Sequence, residues 1–396
     1  MSDQSILGFP RELLQQPIDI RRQYFETKVI AHQRLKQTYE ALLHAIRYPA
    51  GTTLILVVGP TGVGKTTLRL RSVKQLIEDA AGVATVTPGH IPVIAIEAPS
   101  PDSGNFSWRD YFTRALIAAD EPMLAHKIAY SVRGIHRNEQ GHLLIDRTVT
   151  TPDLRHLFEQ CVQYRCPRAF IVDEAQHFKK MASGRRLLDQ MDTLKSLANM
   201  TSTVHVLIGT HDLLSLMDLN AQLARRSVTI HFPRYHADEP EDLKEFKKLL
   251  RTFQRHLPLS VAPDLESHWE YFYEQSLGCT GMLKTLLNKA YGTALEQGEP
   301  TLTSKQWEPH AEPPLKLKNM LAEIKEKEKA FKEQECESHR NTLRTMLGLT
   351  ATSASGEKAE EGEDGAPSPE TTTKKSKPRV GQRKPKRDSV GKKDGA

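Results

Sequence analysis

The chain has 396 residues, enough for two or three domains of ordinary size. Its hydrophobic fraction of 38% supports a packed core, yet no apolar run approaches the ~20 residues of a membrane helix; the longest candidate, Leu54–Val58, is strand-sized. The formal charge of +6 comes from one end: residues 374–396 hold ten Lys and Arg against two Asp, and the remainder holds 45 basic and 47 acidic residues, so the body has a net charge of −2 and whole-chain basicity is weak evidence for a nucleic-acid-binding fold.

The opening MSDQSILGFPRELL lacks a basic segment followed by an apolar stretch, so a secretory signal is not expected and the chain is placed in the cytoplasm, away from membranes. Residues 1–28 read as a polar extension with scattered apolar anchors. Residues 29–47 have helical spacing at Ile30, Leu35, Tyr39, Leu42, Leu43 and Ile46. Thr53–Val58 is a β-rich run ending in a glycine-rich turn, Thr66–Glu78 reads as a helix, and Ile91–Ile96 as a second buried strand. Trp108–Ala119 is a helix with Ser107 as its N-cap. Residues 120–151 look like an insertion, with His136–Gln140 and Leu143–Val149 forming a hairpin. Pro152 opens a helix to about Tyr164, at the first helical position, where its missing N–H costs nothing.

Ala169–Val172 is a strand, Gly184–Leu197 a helix, and Thr203–Ile208 and Ser227–Phe232 are strands. Short apolar strands alternating with helices predict an α/β domain, a parallel sheet flanked by helices, over 29–236. Residues 237–300 read as helices only, a small lid domain. Residues 301–347 read as a charged helical extension whose helix, Leu315–Leu347, has a thin apolar stripe. From residue 348 to 396 the composition cannot bury enough apolar surface to offset ordering, so the tail is expected to be disordered, and basic at its end. The four cysteines, Cys161, Cys166, Cys279 and Cys336, form no CxxC pair and read as reduced thiols.

Chemistry is concentrated in a few short stretches. Gly59-Pro60-Thr61-Gly62-Val63-Gly64-Lys65-Thr66 matches GxxxxGK[ST] between a strand and a helix. Glycines let successive backbone N–H groups wrap a phosphate, and the helix that follows points its N-terminus at the anion. Lys65 then reaches the β- and γ-phosphates of ATP and the Thr66 hydroxyl binds Mg²⁺, with Thr67 completing the loop. At the end of the strand Ala169–Val172 stand Asp173 and Glu174, where open α/β sheets place ligands. Asp173 would join Thr66 on Mg²⁺ through water, and Glu174 would polarise the attacking water as general base. Thr210 follows the next strand and can orient that water. Arg225 and Arg226 precede the last strand; one of them, with Arg226 favoured, would reach a neighbouring subunit's γ-phosphate. Two solvated arginines are the plain alternative.

These motifs, in this order, resemble the AAA+ superfamily of P-loop ATPases. More narrowly, FIVDEAQHF, HVLIGTHDLLSLM, QLARRS and GCTGMLKTLL resemble the TnsC/TniB/MuB group of DNA-transposition regulators over roughly residues 25–300. The resemblance implies an ATP-dependent homo-oligomer, ring or filament, on double-stranded DNA. Its partners would be a transposase and a target-selecting protein, and hydrolysis would disassemble the oligomer. The arginine usual after Gly278 is absent, with Lys284 the nearest cation. No DNA-binding motif stands out. Lys127, Arg133, Arg137 and Arg155 could touch phosphates or form a solvated basic loop, and the tail's KKSKPRVGQRKPKR is a stronger electrostatic candidate. Two rival readings remain: another DNA-associated AAA+ ATPase, such as a helicase loader or replication initiator, and a nucleotide switch that barely hydrolyses. Glu174 argues against the switch.

Overall fold

The computed structural model describes residues 8–81, 89–101, 106–119, 135–137, 143–145, 149–179, 193, 196–198, 203–217, 225–334 and 337–349. Most of 120–151, most of the expected helix Gly184–Leu197, Cys336 and the tail beyond 349 lie outside these residues. In chain order the chain forms α1 (Ile18–Thr27), α2 (Gln33–Arg47), β1 (Leu54–Val58), α3 (Lys65–Ala80), β2 (Val93–Glu97), α4 (Trp108–Ala118), β3 (Ile135–Arg137), β4 (Leu143–Ile145), α5 (Thr151–Arg165), β5 (Ala169–Asp173), β6 (Val204–Gly209), α6 (Leu214–Met217) and β7 (Ser227–His231). Helices follow: α7 (Pro240–His256), α8 (Trp269–Ser276), α9 (Thr280–Gln297), α10 (Ser304–Trp307), α11 (Pro314–Gln334) and α12 (Glu337–Met346).

Five strands form one parallel sheet in the order β2-β5-β6-β1-β7. The inner strands β5, β6 and β1 are buried along their whole length because both faces are covered, whereas the edge strand β7 is only partly buried. In β1, Leu54, Leu56 and Val58 join a cluster with Tyr111, Phe112 and Leu116 of α4 and Phe158 of α5. Ile55 and Val57 face the other way, onto Leu42 and Ile46 of α2 and Leu68 of α3. Every residue of β1 is at most 2% exposed, each buried side chain contributing about 1.5–3 kcal/mol. Register pairs Val58 with Gly209 and with His231, and Glu97 with Asp173. All five strands therefore end at the same edge, and the loops after β1, β5 and β6 meet there. The chain therefore forms a parallel five-stranded sheet flanked by helices, followed by a helical region. In the 120–151 segment, β3 and β4 pair antiparallel as a hairpin, Ile135 opposite Ile145.

Local chemistry sets the helix ends. Ser107 caps α4 by accepting from Asp110 N at 3.2 Å. Helix α5 starts one residue earlier than its proline suggests, because Thr150 forms a capping box: its Oγ1 accepts from Asp153 N at 3.4 Å and its N–H donates to Asp153 Oδ2 at 3.0 Å. Pro152 then falls second in the helix, still within the turn that has no N–H partners. Cys161 and Cys279 are buried and Cys166 is exposed, none of the three in a disulfide.

The lid helices α7, α8 and α9 enclose their own cluster, built on Phe246, Phe253, Phe272 and Leu287. Phe25 of α1 is fully buried in it, with its ring edge-on to Tyr291, so the N-terminal segment packs as part of the lid. Helix α11 is also packed. Leu317 and Ile324 are buried beside Leu277 and Met320, and Phe331 lies over His231 with ring centroids 4.5 Å apart. Glu328, one turn beyond Ile324, is 6% exposed and accepts from Arg234 Nε at 3.0 Å and Nη2 at 3.3 Å. Contacts divide the chain into a unit up to His339 and another from Arg340.

The Arg234–Glu328 pair ties α11 to the segment after β7. Removing one partner of a buried pair leaves a desolvated charge, a loss of about 3–5 kcal/mol. Arg234 keeps the Leu277 carbonyl and the Tyr273 hydroxyl, both at 3.2 Å, which places the expected loss at the lower end. Glu328→Ala should lower the thermal unfolding midpoint clearly and Glu328→Gln less so; an unchanged midpoint in Glu328→Ala would show that α11 contributes little to the fold.

Candidate nucleotide site

The turn after β1 carries the glycine-rich motif. Gly62 and Gly64 have φ of 80° and 111°, left-handed values that residues with a Cβ rarely adopt, and α3 starts at Lys65. Lys65 is 7% exposed, and its Nζ donates to the Gly59 and Pro60 carbonyls at 3.1 and 2.9 Å. Burial lowers its pKa, against the opposing pull of Glu174 and Asp173. Val63 is core, 1% exposed. Thr61, Gly62, Gly64, Lys65, Thr66, Thr67 and Glu174 line one cavity of about 430 Å³. The sequence-derived loop and the Glu174 carboxylate are therefore brought together.

Asp173 ends β5 and is 2% exposed. Its Oδ1 accepts from Glu174 N at 3.0 Å, and its Oδ2 has Arg69 Nε at 3.2 Å, an ion-pair distance. Arg69 lies one turn beyond Lys65 on α3, the i,i+4 spacing that puts both on one face. The groups that could hold Mg²⁺ are the Asp173 carboxylate, which Arg69 already approaches, and the Thr66 hydroxyl, which lines the cavity. Among the described residues no group of three His, Cys, Asp or Glu gathers to hold a metal.

Thr210 stands at the exit of β6, level with the P-loop. Its hydroxyl donates to Asp212 Oδ2 at 2.9 Å, and Lys327 of α11 reaches the same oxygen at 3.0 Å. Gln176, in the 3₁₀ turn Ala175–Lys179, links Thr210 to Glu174 through its carboxamide. Arg225 and Arg226 are exposed at the opposite edge of the sheet: the Arg226 carbonyl accepts from Thr53 N at 3.0 Å, at the start of β1. Five strand steps separate that level from Val58, roughly 16 Å at about 3.3 Å per residue. No arginine side chain spans that distance to its own P-loop.

The lid closes the cavity from the other side with Gln275, Gly281, Met282, Thr285, Leu286 and Lys289, joined by His310, Glu312, Lys316 and Met320. Gly281 N donates to the Gly62 carbonyl at 2.7 Å, so α9 docks its first turn directly on the P-loop. A Cβ on Gly281 would sit 2.5 Å from that same oxygen, leaving no room there for a side chain. Lys284 turns away. Its Nζ lies 3.4 Å from the centroid of the Phe25 ring and donates to the Phe25 carbonyl, and burial pulls its pKa down to about 7. The cations on the cavity's lid side are Lys289 and Lys316.

Of the expected DNA contacts, Lys127 and Arg133 lie outside the described residues and Arg137 is in β3. Arg155 on α5 donates to Glu159 Oε1 at 2.8 Å and to Ser196 at 2.9 Å. Sequence reasoning did not assign roles to Gln176, Arg69, Lys289 or Lys316. Arg69 could have been found from its spacing to Lys65; the two lysines come from helices whose placement no motif announces.

A family model described as AAA domain matches residues 48–217. That span runs from the residues before β1 to the end of α6, and so includes the P-loop, Asp173, Glu174 and Thr210. No curated protein sequence matches the chain. Solved structures with a similar fold include the ORC2 protein of Aeropyrum pernix in ADPNP–ADP complexes, 17% identical over 76% of this chain and 71% of that one, with a TM-score of 0.49. Others are a Walker-type ATPase of Pyrococcus abyssi (14% identical, 78% and 76% covered, TM-score 0.45) and Cdc6p of Pyrobaculum aerophilum (11%, 72% and 68%, TM-score 0.46). Among the described residues no helix is long and apolar enough to cross a membrane.

Lys65→Ala removes the ammonium that the cavity is built around. Binding of a fluorescent ATP analogue should be lost, and an affinity equal to that of the parent would refute the site.

Proposed function

We propose that the chain binds ATP with Mg²⁺ between the P-loop and the lid, hydrolyses it, and assembles as a homo-oligomer on double-stranded DNA to regulate transposition. The observation that carries the ATPase reading is the shared cavity: the glycine-rich loop, buried Lys65 and the Glu174 carboxylate face one space, and lid residues line its other side. Thr66 and Asp173 would hold Mg²⁺, which when bound neutralises charge developing on the phosphates. Lys65 would leave the Gly59 and Pro60 carbonyls for the β- and γ-phosphates, and Glu174 would take a proton from the attacking water. A Glu at this place supports turnover over a mere switch.

The oligomer reading rests on Arg226. Its distance from its own P-loop means that any contact with a γ-phosphate comes from the next subunit, as in the trans arrangement the AAA+ resemblance implies. The transposition reading is supported by the four stretches that resemble the TnsC/TniB/MuB group, which fall on β5, β6, the approach to β7 and the first turns of α9. A transposase and a target-selecting protein would be the partners in that case.

Mixed variants test the shared site. Arg226→Ala and Lys65→Ala should each be inactive, with losses on the order of 10³-fold for the arginine, while their mixture regains DNA-stimulated ATP hydrolysis. Full activity in Arg226→Ala alone would remove the trans arginine. A transposition assay with the transposase separates the two DNA readings: ATP-dependent assembly on DNA that leaves transposition unaffected would favour a helicase loader or replication initiator.

A further inference from the structure

Gln176 stands two residues beyond Glu174, and both ends of its carboxamide are engaged. Nε2 donates to Glu174 Oε2, and Oε1 accepts the Thr210 backbone N–H at 3.2 Å. The bridge joins the ends of adjacent strands, β5 and β6. It also requires a glycine at the exit of β6, because a Cβ on Gly209 would collide with Gln176 Oε1. Glu174 is constrained from its own backbone as well. Its φ of 52° is left-handed, a conformation that costs a residue with a side chain about 1–2 kcal/mol, and its N–H is held by Asp173 Oδ1 at 3.0 Å. Beyond Thr210 the chain of contacts continues through Asp212 to Lys327 on α11.

We propose that Gln176 is the positioning residue for Glu174, fixing one carboxylate oxygen against the exit of β6 so that the other is presented to the cavity. The proposal rests on the reading of Glu174 as general base. Its physical content is orientation. An amide donor holds the carboxylate in one orientation, the role that a third group plays for a base in many hydrolytic sites. The carboxamide has no substitute here: alanine removes both bonds, and asparagine is one methylene too short to span them.

Steady-state ATP hydrolysis by the full chain with DNA, measured across pH alongside nucleotide affinity, tests this. Gln176→Ala should lower kcat by about tenfold or more, the scale of losing a group that orients a functional ligand, with KM and ATP affinity within about twofold of the parent. Gln176→Glu gives the readout that a structural role would not move. A protonated Glu at 176 still donates to Glu174, whereas an ionised one faces it as a like charge. Its kcat should therefore fall as pH rises through a range where the parent's profile is flat, and recover on acidification. A parent-like kcat in Gln176→Ala, or the absence of recovery on acidification in Gln176→Glu, would overturn the proposal; the latter variant is near-isosteric, so it serves even if the alanine variant folds poorly. Glu174→Gln keeps the two readings apart. If it hydrolyses ATP at the parent rate, the base assignment fails. If it is slow while the Gln176 variants behave like the parent, only the positioning role fails.

Discussion

The structure turns on one buried ammonium. Lys65 is held at the end of a central strand, out of water, with two backbone carbonyls as its hydrogen-bond partners. Carbonyl dipoles take up two of its three N–H donors but do not cancel its charge, and the carboxylates of Asp173 and Glu174 act on it without a direct salt bridge. A desolvated cation in that state favours an anion that can enter and take over its donors. A phosphate group does so, and the P-loop's N–H groups add to the same attraction.

The remaining features follow from bringing the chain to that cation. A parallel sheet ends all its strands at one edge, so the loops after β1, β5 and β6 converge there although over 100 residues separate the first two in sequence. Gly281 lets α9 touch the P-loop backbone directly. The contact joins α9 to the loop through backbone atoms alone. Helix α11 then spans the outer side, reaching Asp212 through Lys327 and Arg234 through Glu328. Helix α11 is thereby tied both to the exit of β6 and to the segment leading from β7 to the lid.

The inner strands were readable because a strand buried on both faces is a nearly continuous apolar run, and the edge strand β7 by its β-branched Val228, Thr229 and Ile230. The P-loop was readable because phosphate binding needs glycines, lysine and threonine at fixed spacing. Other features were hidden for physical reasons. Helix α11 looks solvated because its buried stripe is thin and includes Glu328, whose burial makes sense only beside Arg234. Phe25 reads as a stray anchor in a polar extension, since its partners Phe253 and Tyr291 are more than 200 residues away. Lys284 was the nearest cation by count along the chain, yet helical phase turns it onto Phe25 while Lys289 faces the cavity. Gln176 sat in plain view within DEAQ; only the fold puts Thr210 opposite it.

The central claim is that ATP enters between the P-loop and the first turn of α9. Amide hydrogen exchange on the full chain, with and without Mg²⁺ and ATP, tests it without altering a residue. The account predicts that peptides covering residues 59–67 and 280–286 slow together when nucleotide is added, because one ligand contacts both walls. Unchanged exchange in residues 59–67 at saturating ATP would contradict it.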